Sequence, residues 1–152
     1  MPHLDVHLVT PEREVWRGTA SYVLVRSVDG DLGVLPEHAP TLAALDVGPV
    51  SIETEGGRVA AVVDGGFLHV GPAEHARERS DADHGRPAGA EDAVTRVDIL
   101  AEHALLADEL DREDPAAYDA RAEELDAEGR HAEARVERAK AVVRRRLTQE
   151  QR

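Results

Sequence analysis

His3, Asp5 and His7 stand two residues apart in a stretch that alternates polar and apolar side chains, His3-Leu4-Asp5-Val6-His7-Leu8. On a strand they share one face, neighbours roughly 6–7 Å apart. Two imidazoles and a carboxylate form a donor set for a divalent transition metal. An enzyme on a small metal-binding barrel would follow, and stoichiometric metal after purification is its signature. The ordinary alternative is a solvated strand face, and no second ligand cluster supports the metal. His75, His84, His103 and His131 are scattered, outside any HxH or HExxH setting. GxSxG, P-loop and GxGxxG patterns are absent, so nucleophilic and phosphate-cradling chemistry lack a framework. Carboxylates abound, but mostly in a polar insert and a charged tail, where such runs are usually solvated. We expect no catalytic residue, no metal site and no cofactor.

The elements that position these residues divide by period. Residues 3–8, 50–54 and 94–100 alternate, with Val97 and Ile99 on one side of the last. Tyr22-Val23-Leu24-Val25 is a β-branched and aromatic run between Gly18 and Asp29-Gly30. Glu55-Gly56-Gly57-Arg58 reads as a hairpin turn before the strand 59–63, because paired glycines accept the positive φ of a primed turn. Gly65-Gly66 reads as another reversal, ahead of Phe67-Leu68-His69-Val70, with Phe67 as core filler. Many short strands with regular turn signals predict an antiparallel sandwich of about ten strands. Residues 71–93 hold Pro72, Asp81, Asp83, Gly85, Pro87 and Gly89 with little that is apolar, and read as a disordered or mobile insert.

Beyond that the period becomes helical. Asp114-Pro115 is a helix start, aspartate as N-cap and proline where a missing N–H does no harm. Tyr118, Ala122 and Leu125 share a face, Gly129 is a stop, and a second helix runs from about Arg130 to Leu147. Ala132, Val136, Ala139, Val143 and Leu147 line one side of it. The fold class is therefore α+β: a β-sandwich over 1–107 and a C-terminal two-helix hairpin over 108–152. The first helix is strongly acidic; the second carries Arg130, Arg135, Arg138, Lys140, Arg144, Arg145 and Arg146. Opposite charge favours their pairing, at only about 0–1 kcal/mol for each exposed pair. Their shared face is largely alanine and valine, so a hairpin held this way can come apart.

Composition narrows the function. With 152 residues, a net charge of -13 and no cysteine, the chain has no thiolate metal site or disulfide, and its overall charge repels nucleic acid. The start lacks a basic region followed by an apolar run, and apolar stretches are far shorter than a membrane span. We expect a soluble protein that reaches a membrane only through a partner.

Asp31-Leu32-Gly33-Val34-Leu35-Pro36-Glu37-His38-Ala39-Pro40 narrows it further. Pro36 and Pro40 bracket Glu37-His38-Ala39 and predict an extended, stiff loop. With Gly65-Gly66-Phe67, this segment resembles the epsilon subunit of F-type ATP synthases, nearly continuously from Gly33 to Pro40 apart from Glu37. The resemblance extends over about residues 2–70 and 94–105, and covers the hairpin in general character.

The resemblance implies a rotor part that couples the gamma subunit to the c ring during proton-driven ATP synthesis, at the cytoplasmic face of the bacterial cell membrane. By position, Asp31 falls where the family meets the c-ring loops, and Thr10, His38 and Ala43 fall where it faces gamma. It also implies that the hairpin extends in one state toward an acidic segment of the beta subunit and restrains ATP hydrolysis. Arg135, Arg138, Arg144, Arg145 and Arg146 have the sign for that contact. Some relatives bind ATP between hairpin and sandwich through Ile/Leu-Asp-x-x-Arg. Here Leu110-Asp111-Arg112-Glu113-Asp114 puts an acid where the arginine belongs, leaving Asp111 with Arg112 or Arg121 as substitutes. A free-standing nucleotide sensor is the alternative function.

Overall fold

Leu4, Val6 and Leu8, alternating as the sequence predicts, are wholly inaccessible on the inner face of β1 (His3–Val9). In the computed structural model, which describes residues 1–73, 93–110 and 114–150, seven more strands follow. They are β2 (Glu14–Ala20), β3 (Tyr22–Ser27), β4 (Gly30–Val34), β5 (Thr41–Thr54), β6 (Gly57–Pro72), β7 (Val94–Leu100) and β8 (Ala104–Leu106). A 3₁₀ turn, Ala107–Glu109, leads toward α1 (Pro115–Ala127) and α2 (His131–Glu150). The strands run in the order β2-β1-β7-β6-β5-β3-β4, with β8 added to β6.

This sheet folds over itself into a sandwich. Inward residues from every strand form one aliphatic cluster, among them Val23, Ile52, Leu68, Val97 and Ile99. Each such fully buried side chain contributes roughly 1.5–3 kcal/mol. Eight strands replace the expected ten or so because β5 and β6 are long enough, at 14 and 16 residues, to run through both layers. Among the described residues all pairings are antiparallel except one: β1 and β7 run parallel, His3 beside Val94 and Val9 beside Leu100.

Gly65-Gly66 does not reverse the chain, contrary to the sequence reading. Both glycines take positive φ, 110° and 123°, and the strand continues through them. A Cβ on Gly66 would lie 2.0 Å from the Leu100 carbonyl oxygen. Two glycines therefore let β6 change facing without ending. The expected insert is also trimmed: Gly71 and Pro72 pair with Arg96 and Thr95 as the end of β6. Its central part, residues 74–92, lies outside the described residues.

The hairpin starts as the sequence dictates. Asp114 caps α1, its Oδ1 accepting the Ala116 N–H at 2.9 Å, with Pro115 first in the helix. Gly129 (φ 79°) ends the turn after α1, and the Arg130 N–H closes onto the Leu125 carbonyl at 2.8 Å. Helix α2 carries two apolar seams where one was expected. Ala139 and Val143, with half-buried Leu147, pack on Val62, Ala107 and Leu110 of the sandwich. Ala134 and Ala141 are buried on the opposite side, the side from which Arg138 and Arg145 reach α1. Ala132, placed by the sequence in the first seam, is exposed. Thus α2 packs against the sheet and α1 packs against α2.

Candidate functional site

The segment from Asp29 to Leu42 turns where the sequence predicted extension. Pro36 supplies the φ for the second position of a tight turn, and Glu37 takes φ 67° at the third, while the His38 N–H donates to the Leu35 carbonyl at 3.1 Å. A positive φ there normally selects glycine. Glu37 is held by its neighbour: its N–H donates to Oγ1 of buried Thr95 at 2.8 Å. The His38 ring donates from Nδ1 to the Ala39 carbonyl at 2.8 Å, and the Thr41 hydroxyl donates to the same carbonyl at 2.8 Å. On β4 beside this loop, Asp31 is exposed and faces Arg26 across the strand pair at 3.6 Å. Gly33 lies under the Tyr22 ring, where a Cβ would come within 3.0 Å of Tyr22 Cε2.

Next to the loop, the outer face of three adjacent strands carries an exposed apolar strip. Ala44 of β5 pairs with Phe67 of β6, and Phe67 with Leu100 of β7; Leu42 lies two residues before Ala44 on the same face. Leu42 is 72%, Phe67 55% and Leu100 49% exposed. Phe67 is therefore not core filler: the glycine pair turns it outward and Leu68 inward. The strip was missed because the sequence signal, an apolar run after two glycines, fixes a strand without fixing its facing. His69 and Asp98, 3.9 Å apart, border the strip.

The sequence-chosen residues distribute around it. Ala43 lies within the strip, with its side chain packed toward the core between outward Leu42 and Ala44. Thr10 follows the β1 residue paired with Leu100; it is nearly buried, and its N–H donates to the Arg13 carbonyl at 2.9 Å. His38 is half-buried in the proline loop. Asp31 stands apart, on the last strand of the sheet path.

In the hairpin the basic residues are largely neutralised internally. Arg138 binds Asp126, Arg145 binds Asp119, and Arg135 reaches Asp46 on the sandwich. Arg138 and His131 hold the Asp126 carboxyl below the usual aspartate range. Arg144 is half-buried, with its Nε enclosed and without a hydrogen-bond partner, while Arg146 is exposed. Arg144 lines a hollow of about 590 Å³ between α2 and the sandwich, together with Trp16, Arg58 and Leu110. Arg121 is elsewhere: its Nε is 3.3 Å from Glu137 and its guanidinium stacks on Tyr118, 4.7 Å from the ring centre. Asp111 and Arg112 lie outside the described residues.

Histidine geometry near the N-terminus is dispersed. The His3 ring lies 3.1 Å from the Met1 carbonyl, while buried His7 has Nε2 3.2 Å from Asp5 Oδ1 without hydrogen-bond geometry. Among the described residues no group of three potential ligands could hold a metal ion, and no helix is long and apolar enough to cross a membrane.

A family profile described as "ATP synthase, Delta/Epsilon chain, beta-sandwich domain" matches residues 3–75. The ATP synthase epsilon chain of Thermobifida fusca is 41% identical over 147 residues, covering 93% of this chain and 90% of that one. That of Corynebacterium diphtheriae is 34% identical over 147 residues, covering 95% and 97%. This chain belongs to the ATP synthase epsilon-chain family. It is accordingly a subunit of an F-type ATP synthase. The epsilon chain of Streptomyces griseus is 40% identical over 111 residues, 72% of either chain. In three dimensions the chain resembles a chain in the Euglena gracilis mitochondrial ATP synthase assembly of OSCP, F1 and c-ring. There the TM-score is 0.64 at 20% identity, over 97% of this chain and 82% of that one, a likeness of fold.

Proposed function

We propose that this epsilon-family subunit is a non-catalytic part of the central stalk on the cytoplasmic face of the bacterial membrane. Its sandwich grips the gamma subunit through the Leu42–Ala44–Phe67–Leu100 strip and turns Asp31 toward the c-ring loops. Its hairpin restrains ATP hydrolysis when it leaves the sandwich and presents its arginines to the beta subunit. The strip carries the reading: three large apolar side chains held outward on a rigid sheet mark a protein-facing surface. The proline loop and the Thr10 turn flank it, so the family's gamma-facing positions border the same surface.

Retention on immobilised gamma subunit tests the gripping role. The full chain is retained, and a Leu42→Asp variant is not. Deleting residues 109–152 tests the restraint: assembly persists and ATPase activity of the reconstituted complex rises. Unchanged ATPase would remove the restraint and leave the grip.

A second reading has one observation in its favour, the hollow lined by Arg58 and Arg144. Bound there, ATP would hold the hairpin down. The acid at Asp114 weighs against it, as does Arg58's pairing with Glu53 at 2.6 Å. Equilibrium dialysis distinguishes the two: micromolar ATP binding supports a sensor, and none supports coupling alone.

A further inference from the structure

We infer that Asp46 is the sandwich's latch for the hairpin, and that it competes with the hairpin's acidic partner for Arg135. The inference deepens the proposed restraint of hydrolysis by the released hairpin and rests on it for its consequence, though not for the latch itself.

Asp46 sits where β5 departs from regular pairing. Against β3 the register jumps between Leu24 opposite Ser51 and Ser27 opposite Leu45, so residues 46–50 bulge. A bulge re-aims side chains, and here it lifts a carboxylate beside the hairpin's landing surface. The carboxylate is pre-oriented, because its Oδ1 also accepts the Val47 N–H at 2.9 Å. Val47 itself packs with Ala139 and Val143 in the seam under α2. Arg135 lies one helical turn before Ala139, so seam and ion pair engage as a unit. Arg138 and Arg145 instead answer to Asp126 and Asp119 on α1, which travel with the hairpin. Releasing the hairpin leaves the Arg138–Asp126 and Arg145–Asp119 pairs intact and breaks the Arg135 pair with Asp46.

Arg135 therefore differs from Arg138 and Arg145. In the docked state its charge is satisfied by the sandwich, and on release it becomes a free cation at the foot of α2. Modest packing makes the single pair matter, since α2 contributes only Ala139, Val143 and half-buried Leu147 to the seam. The pair is half-exposed, so its effect on the docked population is small but measurable.

The test uses the full chain in two assays. Tryptic cleavage within α2 reads hairpin release in the isolated subunit, and ATPase activity reads restraint in the reconstituted complex. Asp46→Asn should speed cleavage roughly two- to fivefold, the range for one exposed ion pair. Asp46→Lys, which sets a lysine against Arg135, should exceed it. Arg135→Gln should release the hairpin as Asp46→Asn does. In the complex, Asp46→Asn should deepen inhibition, whereas Arg135→Gln should not, having lost the charge the partner needs. Cleavage unchanged in both Asp46 variants overturns the latch. Faster cleavage with unaltered ATPase keeps the latch and overturns the restraint reading instead.

Discussion

The sandwich and the hairpin bury aliphatic residues by different means. In the sandwich, leucine, isoleucine and valine from every strand lock into one cluster, with inaccessible Leu4, Val6, Leu8, Ile52, Leu68 and Ile99 among them. In the hairpin, α2 meets the sheet through Ala139 and Val143 and meets α1 through small residues and ion pairs. Close-packed aliphatic interiors deform little, and pairs in water contribute little. A close-packed body and a more weakly attached arm emerge from one chain by this division. The rigid part also fixes where the exposed strip faces.

The largest effect should come from Gly66→Ala. The new Cβ meets the Leu100 carbonyl at 2.0 Å, on a residue with φ 123°. We expect a loss of more than about 3 kcal/mol in denaturant unfolding. A loss below about 1 kcal/mol would break the claim that the glycine pair re-aims β6.

Val143→Ala sharpens the contrast from the other side. Removing two buried methylene equivalents costs about 1.6 kcal/mol of docking. The hairpin should show faster hydrogen exchange while the amides of β1 and β7 keep their protection. Equal loosening of both would make the two regions one cooperative unit.

Glu37→Gly should stabilise the sandwich. A glycine accepts the φ of 67° without the penalty of a side chain, offset in part by a more flexible unfolded chain, for a net gain of about 0.5–1 kcal/mol. Thermal unfolding reads it directly. Destabilisation would mean that the Glu37 side chain itself supports the loop.

The smallest effect is the response to acid. Asp126 is held below its ordinary value by Arg138 first and His131 second. Its contribution is present above the unfolded aspartate value, about pH 4, and fades as pH falls through the lower folded one. The hairpin should loosen below about pH 4, measured by proteolysis by pepsin, with Asp126→Asn weakening that dependence. His103 has the opposite sign: Asp64, at 2.7 Å, raises its pKa, so that tether is present at low pH and lost as pH rises past the ordinary histidine range.

What was legible in the chain follows from locality. Alternation exposed the inner faces of β1 and β7, and Asp114-Pro115 and Gly129 marked the limits of α1, because each signal acts within a few residues. The parallel β1–β7 pairing joins residues about ninety apart and leaves no local trace. Paired glycines permit a turn or a continuing strand equally well, so the facing of Phe67 had to come from the structure. Alanine is neutral in pattern, which hid the Ala134–Ala141 seam. Glu37 occupies a position that ordinarily announces itself by glycine, and so the turn was read as extension. The exposed apolar strip was invisible for the same reason as Phe67, while the arginines of α2 could be counted but not paired.

Calorimetric titration of purified gamma subunit with the full chain and its Phe67→Asp variant is the decisive test of the proposed grip. Phe67 is more than half exposed, so the variant should melt within a few degrees of the parent. Affinity for gamma should fall at least tenfold, the expected size for a central apolar anchor. Equal affinity of the two proteins for gamma would contradict the grip.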